Sequence, residues 1–231
     1  MQVNCEQISF HYDSGEEVFT DVSFIIERPG FHSIFGKSGI GKSTLAGILT
    51  GTLEPTRGKV KVPERVLCCA SWEALPPWSR LSTHFEEVVG NNLPSEDSSL
   101  SELMSALSLK SDVFERYPHQ ISTGQAMRIN LLRYVLQEFD VLILDESLQN
   151  VDKPTRVRIF SYIKRHICRE KIVIYISHDI DDIVHYSDKI ILLKSANNTT
   201  NISYLNGLNE DAISSSRADE SEKLRQALLL P

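Results

Sequence analysis

The chain has 231 residues, 41% of them apolar and 24% charged, the balance of a soluble globular protein with a sizeable core. Its net charge of −7 argues against broad nucleic-acid binding. The longest apolar runs, such as Val141-Leu142-Ile143-Leu144 and Ile190-Ile191-Leu192-Leu193, are strand-length and too short to cross a bilayer. Met1 to Glu6 holds no basic region followed by an apolar one, so no secretory signal is expected. Cys5, Cys68, Cys69 and Cys168 lack C-x-x-C spacing and read as buried reduced thiols.

In chain order, Ile8 to Tyr12 and Val18 to Glu27 read as two β segments around a turn at Asp13-Ser14-Gly15. Pro29-Gly30 breaks the chain before a short buried strand, Phe31 to Phe35. A helix starts near Thr44, and Gly51, Pro55 and Gly58 mark turns before strands at Lys59 to Val62 and Arg65 to Ala70. Ser71 to Arg80 holds both tryptophans and Pro76-Pro77 and reads as a structured loop. From Leu81 to Leu136 the pattern is helical, with Leu100, Leu103, Leu107 and the run Ala126 to Leu136. Strands return at Val141 to Leu144, Ile172 to Ile176 and Lys189 to Leu193, with a helix from about Pro154 to Cys168. Ser195 to Arg217 is polar and reads as loose, and Glu220 to Leu230 reads as a helix. Strands alternating with helices imply a parallel α/β core, and the strand-poor middle implies an inserted helical subdomain.

Three stretches carry chemistry. Gly36-Lys37-Ser38-Gly39-Ile40-Gly41-Lys42-Ser43-Thr44 fits G-x-x-x-x-G-K-[ST] between a strand and a helix. Glycines let backbone N–H groups turn inward around a polyphosphate, and the helix N-terminus adds its positive dipole end. Lys42 would neutralise the β- and γ-phosphates, and the Ser43 hydroxyl would ligate Mg²⁺. Val141 to Glu146 is a buried strand ending in two acids, which places carboxylates at the sheet's carboxyl edge. There Asp145 would hold Mg²⁺ and Glu146 would take a proton from an attacking water. Ile121-Ser122-Thr123-Gly124-Gln125 precedes a helix and reads either as a second anion site or as a plain helix cap.

Taken together and in this order, the motifs resemble the nucleotide-binding subunit of an ATP-binding cassette (ABC) transporter, over about Ile8 to Leu193. The resemblance implies a P-loop NTPase core, a RecA-like parallel sheet with an N-terminal antiparallel β part, carrying an inserted α-helical subdomain. It divides one domain into a core at 1–70 and 137–194, a Q-loop and helical part at 71–136, and a polar tail with a closing helix at 195–231. In its vocabulary Gly36 to Ser43 is the Walker A loop and Ile121 to Gln125 the signature, usually LSGGQ. Val141 to Asp145 is the Walker B strand, Glu146 the catalytic carboxylate, Gln149-Asn150-Val151-Asp152 the D-loop and His178 the switch histidine. Tyr12 falls where an aromatic stacks on adenine. Arg128 and Arg133 match arginines of the helix after the signature and read as structural. Trp72 and Trp78 fall near the groove that receives a permease helix.

The sequence departs from the family pattern at four places. Ser71 stands at the Q-loop position, where glutamine would reach Mg²⁺ or the attacking water, and Thr123 replaces the first glycine of the signature pair. Ser147 replaces a proline, and Asp182 a glutamate. The resemblance implies ATP and Mg²⁺ as ligands, a transmembrane permease and a second nucleotide-binding subunit as partners, with a solute-binding protein also in view. It places the chain at the cytoplasmic face of a membrane. Leu75-Pro76-Pro77-Trp78 and Pro118-His119-Gln120-Ile121-Ser122 resemble the nitrate, sulfonate and taurine import ATPases. A soluble assembly-pathway ATPase of the same fold and a weakly active partner subunit are the alternatives.

Overall fold

Strands β6 (Val141–Asp145) and β7 (Ile172–Ile176) are buried at every position, which requires both faces of their sheet to be covered. The computed structural model describes residues 1–15, 17–71, 74–89, 98–196, 199–207 and 214–229. In it β6 and β7 lie inside a six-stranded sheet of order β5-β6-β7-β3-β8-β9. The strands β5 (Val66–Ala70), β6, β7, β3 (Gly30–Gly36) and β8 (Lys189–Ala196) run parallel, and β9 (Thr199–Asn206) pairs antiparallel with β8. A second sheet of order β2-β1-β4 joins β1 (Val3–His11), β2 (Glu17–Ile26) and β4 (Arg57–Lys61) antiparallel.

Side-chain alternation along the central strands sorts the interior into two clusters. Val141, Ile143, Ile172 and Ile174 face α1 (Lys42–Leu49) and the small sheet, meeting Leu45, Leu49, Ile8 and Phe24. Leu142, Leu144, Val173 and Tyr175 face the other way, against Phe31 and Phe160 of α5 (Lys153–Tyr162). Phe160 is fully buried, with rings of Phe31, Tyr175 and Tyr186 at 5.5, 5.1 and 4.6 Å. Phe160→Ala should lower unfolding stability by about 3–5 kcal/mol, read as a shift in the denaturant midpoint.

The middle of the chain is helical: α2 (Leu81–Val89), α3 (Ser98–Ala106), two short 3₁₀ turns and α4 (Thr123–Val135). Its apolar faces, with Phe85, Leu107 and Ile129 fully buried, join the cluster on the α5 side of the main sheet. None of the four cysteines forms a disulfide, and burial pushes the Cys5 and Cys168 thiols up to about 12.

Two expectations need correction. The first strand begins at Val3, five residues before Ile8, because its alternation changes phase: Val3 and Cys5 point inward, then Ile8 and Phe10. Gln7, at φ 48°, and Asp21 of the facing strand, at φ 53°, are the residues that absorb the slip. The polar stretch after Ser195 is also not wholly loose, since residues 199–206 form β9. There Ile202 and Leu205 pack on opposite clusters, while the Tyr204 hydroxyl accepts the Ile25 N–H at 3.0 Å. The exposed edge of β8 supplies the ladder that residue composition does not advertise. After it, α6 (Ile180–Tyr186), which precedes β8, is covered by α7 (Ser214–Leu229).

Candidate functional site

Strand β3 delivers the glycine loop to the carboxyl edge of the parallel sheet. Gly36 packs so closely on β8 that a Cβ there would lie 2.8 Å from the Leu193 carbonyl oxygen. Gly41 caps α1 at φ 99°, and Val18 Cγ1 takes the space that a Cβ would need. Ile40, only 8% exposed, anchors the loop in the core, while Lys37, Ser38 and Gly39 stand open to solvent. Lys42 is buried at the helix start, its ammonium donating to the carbonyls of Gly36 (2.9 Å) and Lys37 (3.0 Å). Burial pushes its pKa down, against the opposing pull of Glu146 and Asp145.

A cleft of about 360 Å³ opens over this loop, walled by Tyr12, Val18, Gly39, Lys42, Ser43 and Glu146 among others. Tyr12 presents its ring edge-on to Phe10 at 5.1 Å, and its hydroxyl shares a 2.9 Å hydrogen bond with Thr44. The ring is 42% exposed, so a face remains for a planar base. The wall contributed by Val18 has no motif behind it. It is brought in because β2 folds back over the loop, and the alternation of β2 alone does not point to a site.

On the other side stand the acids. Asp145 is 5% exposed, and its Oδ1 has no hydrogen-bond partner. Burial holds its pKa up, the neighbouring Ser43 hydroxyl acts in the opposite sense, and Glu146 pushes it further up. A buried carboxylate with a spare oxygen beside an exposed hydroxyl at a phosphate loop fits a divalent cation. Glu146 leaves the strand in the left-handed region, φ 52°, with its N–H donating to the Ile176 carbonyl at 3.0 Å. That turn carries its carboxylate out of the sheet and into the cleft. His178, after β7, lies with Nδ1 3.6 Å from Glu146 Oε1 and 3.4 Å from Gln149 Nε2. The Ser71 N–H donates to the Asp145 carbonyl at 3.0 Å, so the short residue at the Q-loop position begins its loop beside the acids.

The signature lies outside the walls of this cleft. Ser122 caps α4 by accepting the Gln125 N–H at 3.2 Å, and the Gln125 side chain accepts the Ser122 N–H at 3.0 Å. Thr123 is exposed at the first helical position, and a Cβ on Gly124 would sit 3.2 Å from the Asn150 carbonyl oxygen. Arg128 donates to the Gly124 and Leu107 carbonyls at 2.9 and 2.8 Å, and buried Arg133 meets His84 at 3.2 Å. Both arginines therefore serve structure within the helical part. Ser147 is 2% exposed with no hydrogen-bond partner for its hydroxyl; Asp182, 4% exposed, is held by Arg156. Trp78 is 81% exposed, and Trp72 lies outside the described residues.

Thus the chain brings Tyr12, Gly36 to Thr44, Ser71, Asp145, Glu146 and His178 to one sheet edge and leaves Ser122 to Gln125 elsewhere. A family model described as ABC transporter matches residues 19–149, more than half of the chain. The chain is similar to the molybdenum import ATP-binding protein of Aliivibrio fischeri, 31% identical over 193 residues. That match covers 77% of this chain and 52% of the relative, so the chain spans about half that relative's length. It is also 29% identical over 184 residues to an aliphatic sulfonates import ATP-binding protein of Paraburkholderia xenovorans, covering 78% of this chain and 73% of that protein. Among solved structures, a bacterial Atm1-family ABC exporter with ATP bound superposes with a TM-score of 0.76 at 16% identity. The superposition covers 100% of this chain and 42% of the exporter chain, and carries the fold alone. With the glycine loop, the signature and the Asp145–Glu146 edge all inside the matched segment, the chain belongs to the ABC transporter family, as its ATP-binding ATPase domain.

Proposed function

We propose that this chain hydrolyses ATP to drive transport of a small solute through a separate permease, as an importer whose site is completed by a second nucleotide-binding subunit. The observation that carries this is the separation of the two halves. The glycine loop and Glu146 line one cleft, with His178 3.6 Å from Glu146, while Ser122 to Gln125, capped at the start of α4, are not among its walls. In the closed pair, the signature of one subunit would meet the γ-phosphate held by the other. ATP then favours closure through its higher affinity for the closed state, and phosphate release favours opening.

Within the site, Tyr12 stacks on the base, and the N–H groups of residues 37–44 with the Lys42 ammonium hold the phosphates. Glu146 accepts a proton from the water whose oxygen attacks the γ-phosphorus, as the bond to the β–γ bridging oxygen breaks. His178, at the rim, steadies the γ-phosphate. Ser43 and Asp145, and Ser71 through water, would hold Mg²⁺, which when bound screens the charge on the β- and γ-phosphates.

No helix among the described residues is long and apolar enough to cross a membrane, in keeping with a subunit peripheral to the cytoplasmic face. Two relatives named for import, of molybdenum and of sulfonates, support the inward direction. The Leu75-Pro76-Pro77-Trp78 and Pro118-His119-Gln120 segments favour a small anionic cargo of the nitrate or sulfonate kind. Ser71 and Thr123 favour a second reading, a weakly active partner of a more competent subunit.

Pull-down of the tagged chain from detergent-solubilised membranes, followed by phosphate-release assay, tests the proposal. The expected result is a complex with a permease whose turnover needs Mg²⁺ and stops with a chelator. Recovery without any membrane protein would overturn the transport reading. A permease complex whose turnover survives Glu146→Gln would support the weakly active reading.

A further inference from the structure

His178 poses a positioning problem. Its side chain is 70% exposed, so packing does not hold it, yet a γ-phosphate contact must be placed to within a fraction of an ångström. Its position is therefore set by the backbone turn that carries it, and that turn is fastened by one partly buried guanidinium. Arg156, its side chain 14% exposed on α5, donates from NH2 to Asp179 Oδ2 at 2.8 Å, and its Nε lies 3.1 Å from Asp182 Oδ2 as an ion pair without hydrogen-bond alignment. Asp179 follows His178 directly and caps α6, accepting the Asp182 N–H at 3.2 Å. Asp182 is 4% exposed and accepts the Tyr175 hydroxyl at 3.4 Å. Without the guanidinium, two carboxylates in one helical turn would face each other, one of them buried.

The same arginine sits one turn after Gln149 to Asp152, the segment that touches both halves of the composite site. Gln149 meets His178 at 3.4 Å, and Asn150 lies against Gly124 of the signature. We infer that Arg156 is a positioning residue for His178, locking the histidine turn to the segment that follows Glu146. This rests on the reading of His178 as a γ-phosphate contact. A second arginine provides the contrast. Arg225 of α7 holds Asp181 of the same turn at 2.7 Å, but the two side chains are 36% and 51% exposed. An exposed pair of that kind contributes little, so Arg225 serves as the control.

The test is a kinetic cycle on the assembled transporter complex, with nucleotide affinity and thermal melting measured alongside. His178→Ala and Arg156→Met should each lower kcat by about 10- to 100-fold with ATP affinity held within about twofold. The double variant should be no slower than His178→Ala alone, because Arg156 acts only through the histidine. Arg156→Lys, which keeps the charge but not the fork, should recover part of kcat. Arg225→Met should stay within about twofold of the parent. Parental kcat in Arg156→Met, or losses that multiply in the double variant, would overturn the inference. Should Arg156→Met fail to fold, the same cycle run with Arg156→Lys decides, since its smaller loss must also vanish beside His178→Ala. A parental rate in His178→Ala alone would instead overturn the reading of the histidine, and the inference with it.

Discussion

Glu146→Gln should lower ATP turnover by about 10²- to 10⁴-fold while leaving ATP binding close to the parent, the signature of a lost general base. The amide preserves the shape of the side chain and its reach into the cleft but does not take a proton at neutral pH. The backbone argues for the role as well. A glutamate at φ 52° is strained for an L-residue, and the strain persists because the Ile176 carbonyl pins the N–H on one side and the Gln149 N–H bonds the Glu146 carbonyl on the other. The geometry lifts the carboxylate out of a strand whose other side chains are all buried. Single-turnover phosphate release, with nucleotide binding measured separately, checks the prediction. Equal losses in binding and turnover would reassign Glu146 to substrate holding.

Lys42→Ala should remove both binding and turnover, by about 100-fold or more in kcat/KM. Here the ammonium already sits inside the loop, bonded to the Gly36 and Lys37 carbonyls and 8% exposed. On the proposed function it braces the loop for phosphate and, with ATP present, would exchange part of that bonding for β- and γ-oxygens. Truncation thus removes the largest positive charge in the cleft and the brace together. Equilibrium binding of a fluorescent ATP analogue separates this variant from Glu146→Gln: the lysine change abolishes the signal, the glutamate change retains it.

Much of this site is legible in the sequence because its physics is local. A glycine loop between a buried strand and a helix, two acids ending another strand and a histidine ending a third are each continuous stretches. Parallel order follows once those strands read as buried on both faces. What sequence reading misses depends on distant partners. The phase slip at Gln7 is visible only against the matching slip at Asp21 across the hairpin. β9 exists because β8 offers an edge, and its polar composition argues for a loop until Ile202, Tyr204 and Leu205 are seen against the body of the protein. Arg156 carries no motif of its own, and the D-loop assignment of Gln149 does not point to His178. Their importance comes from His178 and the Asp179–Asp182 turn, 20 to 30 residues away in sequence at roughly the span of one βα unit. Ser147 replaces a proline beside a left-handed glutamate, and its unpaired buried hydroxyl has no explanation in the structure.

On the proposed function, one chain supplies half of an ATP site and a second subunit supplies the other half. The most direct measurement is the mass and nucleotide content of the purified Glu146→Gln complex after incubation with Mg²⁺ and ATP. Two nucleotide-binding subunits per particle with unhydrolysed ATP retained are expected, with loss of both when Lys42→Ala is added. A lone nucleotide-binding subunit that retains no ATP, or one that turns it over at the parental rate, would contradict it.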